Sequence, residues 1–170
     1  MNPLTVTPPA VASGEVVVDI ADFAVASGDV VLVTAGLGSC VALVVHDPSS
    51  GIAGLAHILL PAAGNGTASL RPAKFAESGV PLMVDEMRRS GASGRLVAKV
   101  AGGARMFGAL LSTGVNMGRR NVEATMGALA RLGIPVVAAD VGGEYGRSVR
   151  VHAATGAVKV RSLAGGDRDL

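Results

Sequence analysis

Aromatic side chains are nearly missing from this sequence: three Phe, one Tyr and no Trp in 170 residues. Proteins that grip single-stranded nucleic acid stack bases on such rings, and Phe23, Phe75, Phe107 and Tyr145 are a poor supply. The net charge of +2 is too small for a phosphate-binding surface, so nucleic acid is not an expected partner. The lone cysteine, Cys40, rules out an internal disulfide. A single thiol with no export signal favours the reducing cytoplasm. No Lys or Arg precedes Arg71, while Glu15, Asp19, Asp22, Asp29 and Asp47 all fall in that stretch. A secretory leader, which needs a basic start, is therefore not expected. The longest apolar run, 52–63, is interrupted by His57 and Pro61 and is too short to span a bilayer, so membrane insertion is not expected. Three scattered histidines and one cysteine have no metal-ligand spacing, and no cofactor or metal is expected.

The hydrophobic share is 49% and the charged share 16%, the balance of a folded domain rather than a disordered chain. The length suits one domain, placed at 15–163 between flexible tails at 1–14 and 164–170. Val-rich runs at 15–20, 29–34, 40–46 and 52–60 read as strands, as do 95–101 and 134–141. Segments 148–153 and 157–161 alternate around Thr155-Gly156 as a hairpin. Val80, Met83, Val84 and Met87 have helical spacing, and a second helix, capped by Asn121, carries Val122, Met126, Leu129 and Ala130 on one stripe. The sum is a single α/β domain with largely antiparallel sheet and helices packed on it. His46 is expected at the surface beside Asp47, and Arg147 is expected as a solvated or surface-paired cation.

The candidate chemistry lies in 34–40 (TAGLGSC) and 54–57 (GLAH). A solitary Cys is most often a small buried hydrophobe, and a His on an apolar strand is usually a hydrogen-bonded core residue. The hairpin raises the odds of more. A four-residue loop at 47–50 makes paired positions sum to 97, which sets Cys40 opposite His57; a five-residue loop puts them on opposite faces, unless a bulge at Gly54 restores the match. An imidazole beside Cys40 would take its proton and hold a thiolate, which should then be alkylated by iodoacetamide below pH 7. Thr34 is a candidate to orient His57. The backbone of Gly36, Gly38 and Ser39 is a candidate donor set for a developing oxyanion.

These residues resemble the CheD family of chemoreceptor glutamine deamidases. The stretches 99–107 (KVAGGARMF), 117–122 (MGRRNV), 140–147 (DVGGEYGR) and the Thr155-Gly156 hairpin look like family segments in family order. The resemblance implies a layered α/β/β cysteine-hydrolase fold that deamidates receptor glutamines to glutamates, releasing ammonia, in chemotactic adaptation. It implies Cys40 as nucleophile, His57 as general acid/base and Thr34 as the residue orienting His57. It also implies chemoreceptors as partners, a CheC-type phosphatase where the cell has one, and no cofactor. The segment Lys74-Phe75-Ala76-Glu77 departs from the family, which more often has a tyrosine–aspartate type sequence there. The competing reading is a non-catalytic regulatory protein that binds a CheC-type phosphatase or receptors with an idle thiol.

Overall fold

The computed structural model describes residues 14–64, 69–106 and 115–170. Its elements run β1 (Gly14–Val17), β2 (Phe23–Ser27), β3 (Val30–Leu37), β4 (Val41–Asp47), β5 (Ile52–Ile58), α1 (Ala76–Arg89), β6 (Val97–Gly102), α2 (Met117–Arg131), β7 (Val136–Val141), β8 (Arg147–His152), β9 (Ala157–Arg161) and β10 (Arg168–Asp169). They form two five-stranded sheets, in the orders β1-β3-β8-β9-β10 and β2-β5-β4-β6-β7. Only β1/β3 and β6/β7 pair in parallel among the described strands, so the largely antiparallel mixed α/β class is as expected.

Three layers result. Val41, Leu43, Val45, Ala56 and Ile58 face α1 and α2. Cys40, just before β4, and alternate residues of the same strands, Ala42, Val44 and Leu55, face Leu32, Val149 and Val151 of the other sheet. β4 and β5 are thus buried on both faces along their whole length. That is why they read as nearly continuous apolar runs instead of alternating.

Several boundaries differ from the sequence reading. α1 begins at Ala76 rather than Val80, with Phe75 as a cap that makes no side-chain bond. The N–H groups of Ala76 and Glu77 donate instead to the carbonyls of Leu60 and Pro61, so no local capping residue marks the start. The cap of α2 is Asn116, whose side chain accepts from the Arg119 N–H at 2.9 Å; Asn121 lies inside the helix. β2 was not expected at all. It is a five-residue edge strand with the weakly patterned sequence FAVAS. Gly14, placed in the tail by composition, starts β1, and the rest of that tail lies outside the described residues. Within 164–170, Arg168–Asp169 pairs with β9, and the Leu170 N–H donates to Val158. Met83 and Met87 are core residues, with Met126 packed against them.

His46 is not a surface residue. It points into the layer between the sheets, where its ring packs on Gly156 and leaves the residue 7% exposed. Arg147 is likewise buried. It donates to Asp140 at 3.1 and 3.2 Å and to the Gly142 carbonyl at 2.8 Å, and its guanidinium lies over the Tyr145 ring. His152 sits on the outer face near Asp29, as alternation along β8 required.

Candidate active site

The register of the β4–β5 hairpin decides where Cys40 and His57 meet. The turn occupies 48–51, one residue later than expected, and paired positions sum to 99, as in Ala42 with His57 and Val41 with Ile58. Asp47 braces the turn in this register. Its carboxylate accepts from the Ser49 N–H and hydroxyl and, across the chain, from the Gly94 N–H at 2.9 Å. Burial works against its charge, but these hydrogen bonds hold the carboxyl well below the usual carboxylate range. Gly51 closes the turn at φ +65°, a conformation that favours glycine there. Cys40 therefore stands diagonal to His57 rather than opposite it. Both lie on the face turned toward the second sheet, because the offset from Ala42 is two residues. Diagonal neighbours of this kind are roughly 7–8 Å apart at the backbone, within reach of longer side chains.

Thr34 comes from the other sheet. Fully buried on β3, it pairs with Val149 just before a register shift that includes Gly36 at φ +73°. Its hydroxyl lies 2.8 Å from the Val18 carbonyl and 2.7 Å from His57 Nδ1. The single hydroxyl hydrogen has a carbonyl to serve, so the oxygen accepts from Nδ1–H. The hydrogen-bond network thereby assigns the tautomer: Nδ1 carries the proton and Nε2 is bare. Nε2 is buried and has no partner among the described residues. The backbone of His57 is fixed as well. Its N–H donates to Asp22 and its carbonyl accepts from Ala21, both at 2.9 Å. Ala21 holds φ +65°, a left-handed conformation that an L side chain adopts at a cost.

The Cys40 loop is held by its carbonyls. Gly38 accepts from Ala104 N–H at 2.9 Å and Cys40 from Gly103 N–H at 2.8 Å, while Ser39 accepts from Asn121 Nδ2 at 2.9 Å. Gly102 must be glycine: it sits at φ +106°, and a Cβ there would run into the Cys40 carbonyl oxygen. The expected oxyanion donors divide. The Gly38 N–H is committed to the Gly36 carbonyl at 3.1 Å, which takes it out of the set in this conformation.

Burial pushes the Cys40 thiol up, and its own backbone N–H, which favours the thiolate, offsets only part of this. Burial pushes the His57 imidazole down, with the Asp19 carboxylate pulling the other way. Both effects favour the uncharged forms. These directions run against the thiolate that an adjacent imidazole would hold.

The segment 74–77 leads into α1. The Phe75 ring is buried with Lys74 over it, and the backbone of Phe75 forms an isolated parallel bridge with Leu60. The sequence reading missed Val18, Ala21, Asp19 and the side-chain role of Asn121. Only Asn121 left a usable sign: with Thr125 it forms an i, i+4 polar pair on the buried face of an amphipathic helix. Among the described residues, no group of three or more His, Cys, Asp or Glu side chains could hold a metal ion, and no helix is long and apolar enough to cross a membrane.

A family model described as CheD chemotactic sensory transduction matches residues 59–162. The chain is 51% identical over 149 residues to the probable chemoreceptor glutamine deamidase CheD 2 of Geobacter metallireducens, covering 86% of this chain and 92% of that one. It is 42% identical over 153 residues to the chemoreceptor glutamine deamidase CheD of Thermotoga maritima, covering 89% and 94%. It is 41% identical over 151 residues to a probable chemoreceptor glutamine deamidase CheD of Caldanaerobacter subterraneus, covering 88% and 93%. The family model begins beyond Thr34, Cys40 and His57. The alignments to relatives leave too little of the chain uncovered to omit residues 34–57.

Proposed function

The chain belongs to the CheD family, and from that premise we propose that it hydrolyses the side-chain carboxamide of glutamine residues on chemoreceptors, with Cys40 as the nucleophile. The observation that carries this reading is the bare, buried Nε2 of His57, on the same sheet face as Cys40 and oriented by Thr34.

In the first half-reaction, the Cys40 sulfur bonds to the carboxamide carbon as its proton passes to His57 Nε2. The tetrahedral adduct collapses when His57 returns that proton to the departing nitrogen, so that the C–N bond breaks and ammonia leaves. The second half runs the same groups in reverse order. His57 takes a proton from water, the resulting oxygen attacks the thioester carbon, and the C–S bond breaks with the proton returned to sulfur. The net change is one water consumed, one carboxamide converted to a carboxylic acid and one ammonia released. Thr34 keeps the proton on Nδ1 throughout, so that Nε2 is always the atom that accepts and donates. With the Gly38 N–H engaged, the Gly36 and Ser39 backbone stays as the donor set for the developing oxyanion.

Chemoreceptors are the substrates in this reading, a CheC-type phosphatase is a further partner, and the protein works in the cytoplasm. The free thiol supports a reducing compartment; the phosphatase rests on family resemblance. The test combines purified protein with a receptor signalling fragment and reads ammonia release against new glutamates in receptor peptides. Equal amounts of the two are expected. Binding without ammonia would favour the non-catalytic alternative, and pull-down of the phosphatase tests that partner separately.

A further inference from the structure

Asn121 is fully buried on α2, 82 residues from Ser39 and 62 from Leu59, yet its single Nδ2 donates to both of their carbonyls, at 2.9 and 3.0 Å. Ser39 immediately precedes Cys40, and Leu59 is the second residue after His57. The β4–β5 ladder ends with Val41 opposite Ile58. Continued by one step, its register would pair Cys40 with Leu59. The amide of Asn121 therefore acts as an extra rung where the backbone ladder stops, beside the two residues of the candidate pair.

The helix that carries Asn121 is itself seated firmly. Gly118 lies so close to the Gly103 and Ala104 carbonyls that a Cβ would collide with them. Gly103 in turn donates to the Cys40 carbonyl, and Thr125 bonds back to the Asn121 carbonyl at 2.8 Å. The Oδ1 of Asn121 has no partner among the described residues. A buried amide with an idle oxygen is a poorer core residue than leucine. Stability alone does not account for Asn at this position; tying two chain ends together does.

We propose that Asn121 is a positioning residue for the deamidation reaction, fixing the spacing between the Cys40 and His57 chain ends so that sulfur and Nε2 meet. This rests on the catalytic reading above. Asn121 touches neither substrate nor reacting atoms; it acts through the backbone on either side of the pair. A misplacement of about 1 Å between reacting groups can lower a rate ~10²-fold.

The test measures kcat and KM for Asn121→Ala, Asn121→Asp and Asn121→Ser, each alone and combined with His57→Gln, alongside thermal melting. In parallel, the iodoacetamide rate of Cys40 is measured in the same proteins without substrate. The expected result is a cooperatively folded variant with kcat lowered ~10²-fold at nearly unchanged KM, and with His57→Gln adding little further loss. The His57-dependence of Cys40 alkylation should shrink in step. Wild-type kcat in a folded variant, a loss confined to KM, or losses that multiply independently with His57→Gln would overturn the proposal. So would failure of all three variants to fold, which would make Asn121 a stability residue. If the unmodified protein shows no deamidation, the catalytic reading fails, and the alkylation measurement alone then decides whether Asn121 sets the Cys40–His57 spacing.

Discussion

Thr34 Oγ1 and His57 Nδ1 lie 2.7 Å apart and belong to different sheets. In the proposed reaction, one sheet sets the tautomer of the imidazole on the other through this contact. Replacing Thr34 with Val keeps the shape and removes the acceptor. The imidazole then loses the bond that holds its proton on Nδ1, a bond worth about 1 kcal/mol or more when buried. Thr34→Val should lower kcat about tenfold or more, while Thr34→Ser, which keeps the hydroxyl, should retain most activity. Steady-state kinetics of both variants on a receptor fragment checks this, and nitrogen NMR of the histidine ring should show the Nδ1–H population falling in the Val variant.

The direction of the Cys40 shift makes a prediction about thiol reactivity. Because burial raises the Cys40 thiol, its alkylation by iodoacetamide should be slow below pH 7 and climb with a midpoint above the ordinary thiol value of about 8.5. A fast, flat rate from pH 6 upward would reveal a preformed thiolate and contradict that direction.

Stability should follow the same two groups. His57 is depressed, so the unfolded chain binds its proton more readily; its contribution is present above the unfolded value of about 6.5 and is lost as pH falls through the lower folded value. His46, lowered mainly by burial, acts in the same direction. Cys40 is raised, so its contribution is complete below about 8.5 and declines as pH rises through the folded value. Denaturant unfolding across the pH range should show a plateau between these limits. Cys40→Ala should flatten the alkaline decline and leave the acid one in place.

Asp19 offers a separate handle on His57. Its carboxylate favours the protonated imidazole, so Asp19→Asn should move the acid limb of kcat/KM to lower pH, without moving the alkaline limb. An acid limb that stays in place would mean another group titrates there.

Asp47 braces the turn of the β4–β5 hairpin, whose register leaves Cys40 diagonal to His57. Asp47→Ala removes the acceptor for Ser49 and Gly94 and should destabilise the protein by about 1–3 kcal/mol. Urea unfolding measures this directly. Asp47→Asn should lie between the two, since it keeps one acceptor oxygen but not the charge.

Much of this arrangement was legible in the sequence. The Val-rich runs marked β3 to β5, and the apolar stripes marked both helices, because burial writes a periodic pattern into the chain. Cys40, His57 and Thr34 stood out as the polar residues of otherwise apolar or glycine-rich stretches. The hairpin register was not legible. It turned on whether the Asp47 side chain would fold back over Pro48 and Ser49, and a shift of one residue in the loop moves the pairing sum by two. The start of α1 escaped because its first N–H groups are satisfied by Leu60 and Pro61, far away in sequence. Asn121 looked like a cap because Asn is a good cap, whereas its two acceptors, at Ser39 and Leu59, come together only in the fold.

The central claim, that Cys40 is the atom source of the nucleophile, is tested most directly by mass spectrometry of receptor peptides after incubation with the unmodified protein and with Cys40→Ala. The account predicts glutamine-to-glutamate conversion at specific receptor sites with the unmodified protein and none above the spontaneous background with Cys40→Ala. Equal conversion by the two proteins would contradict it.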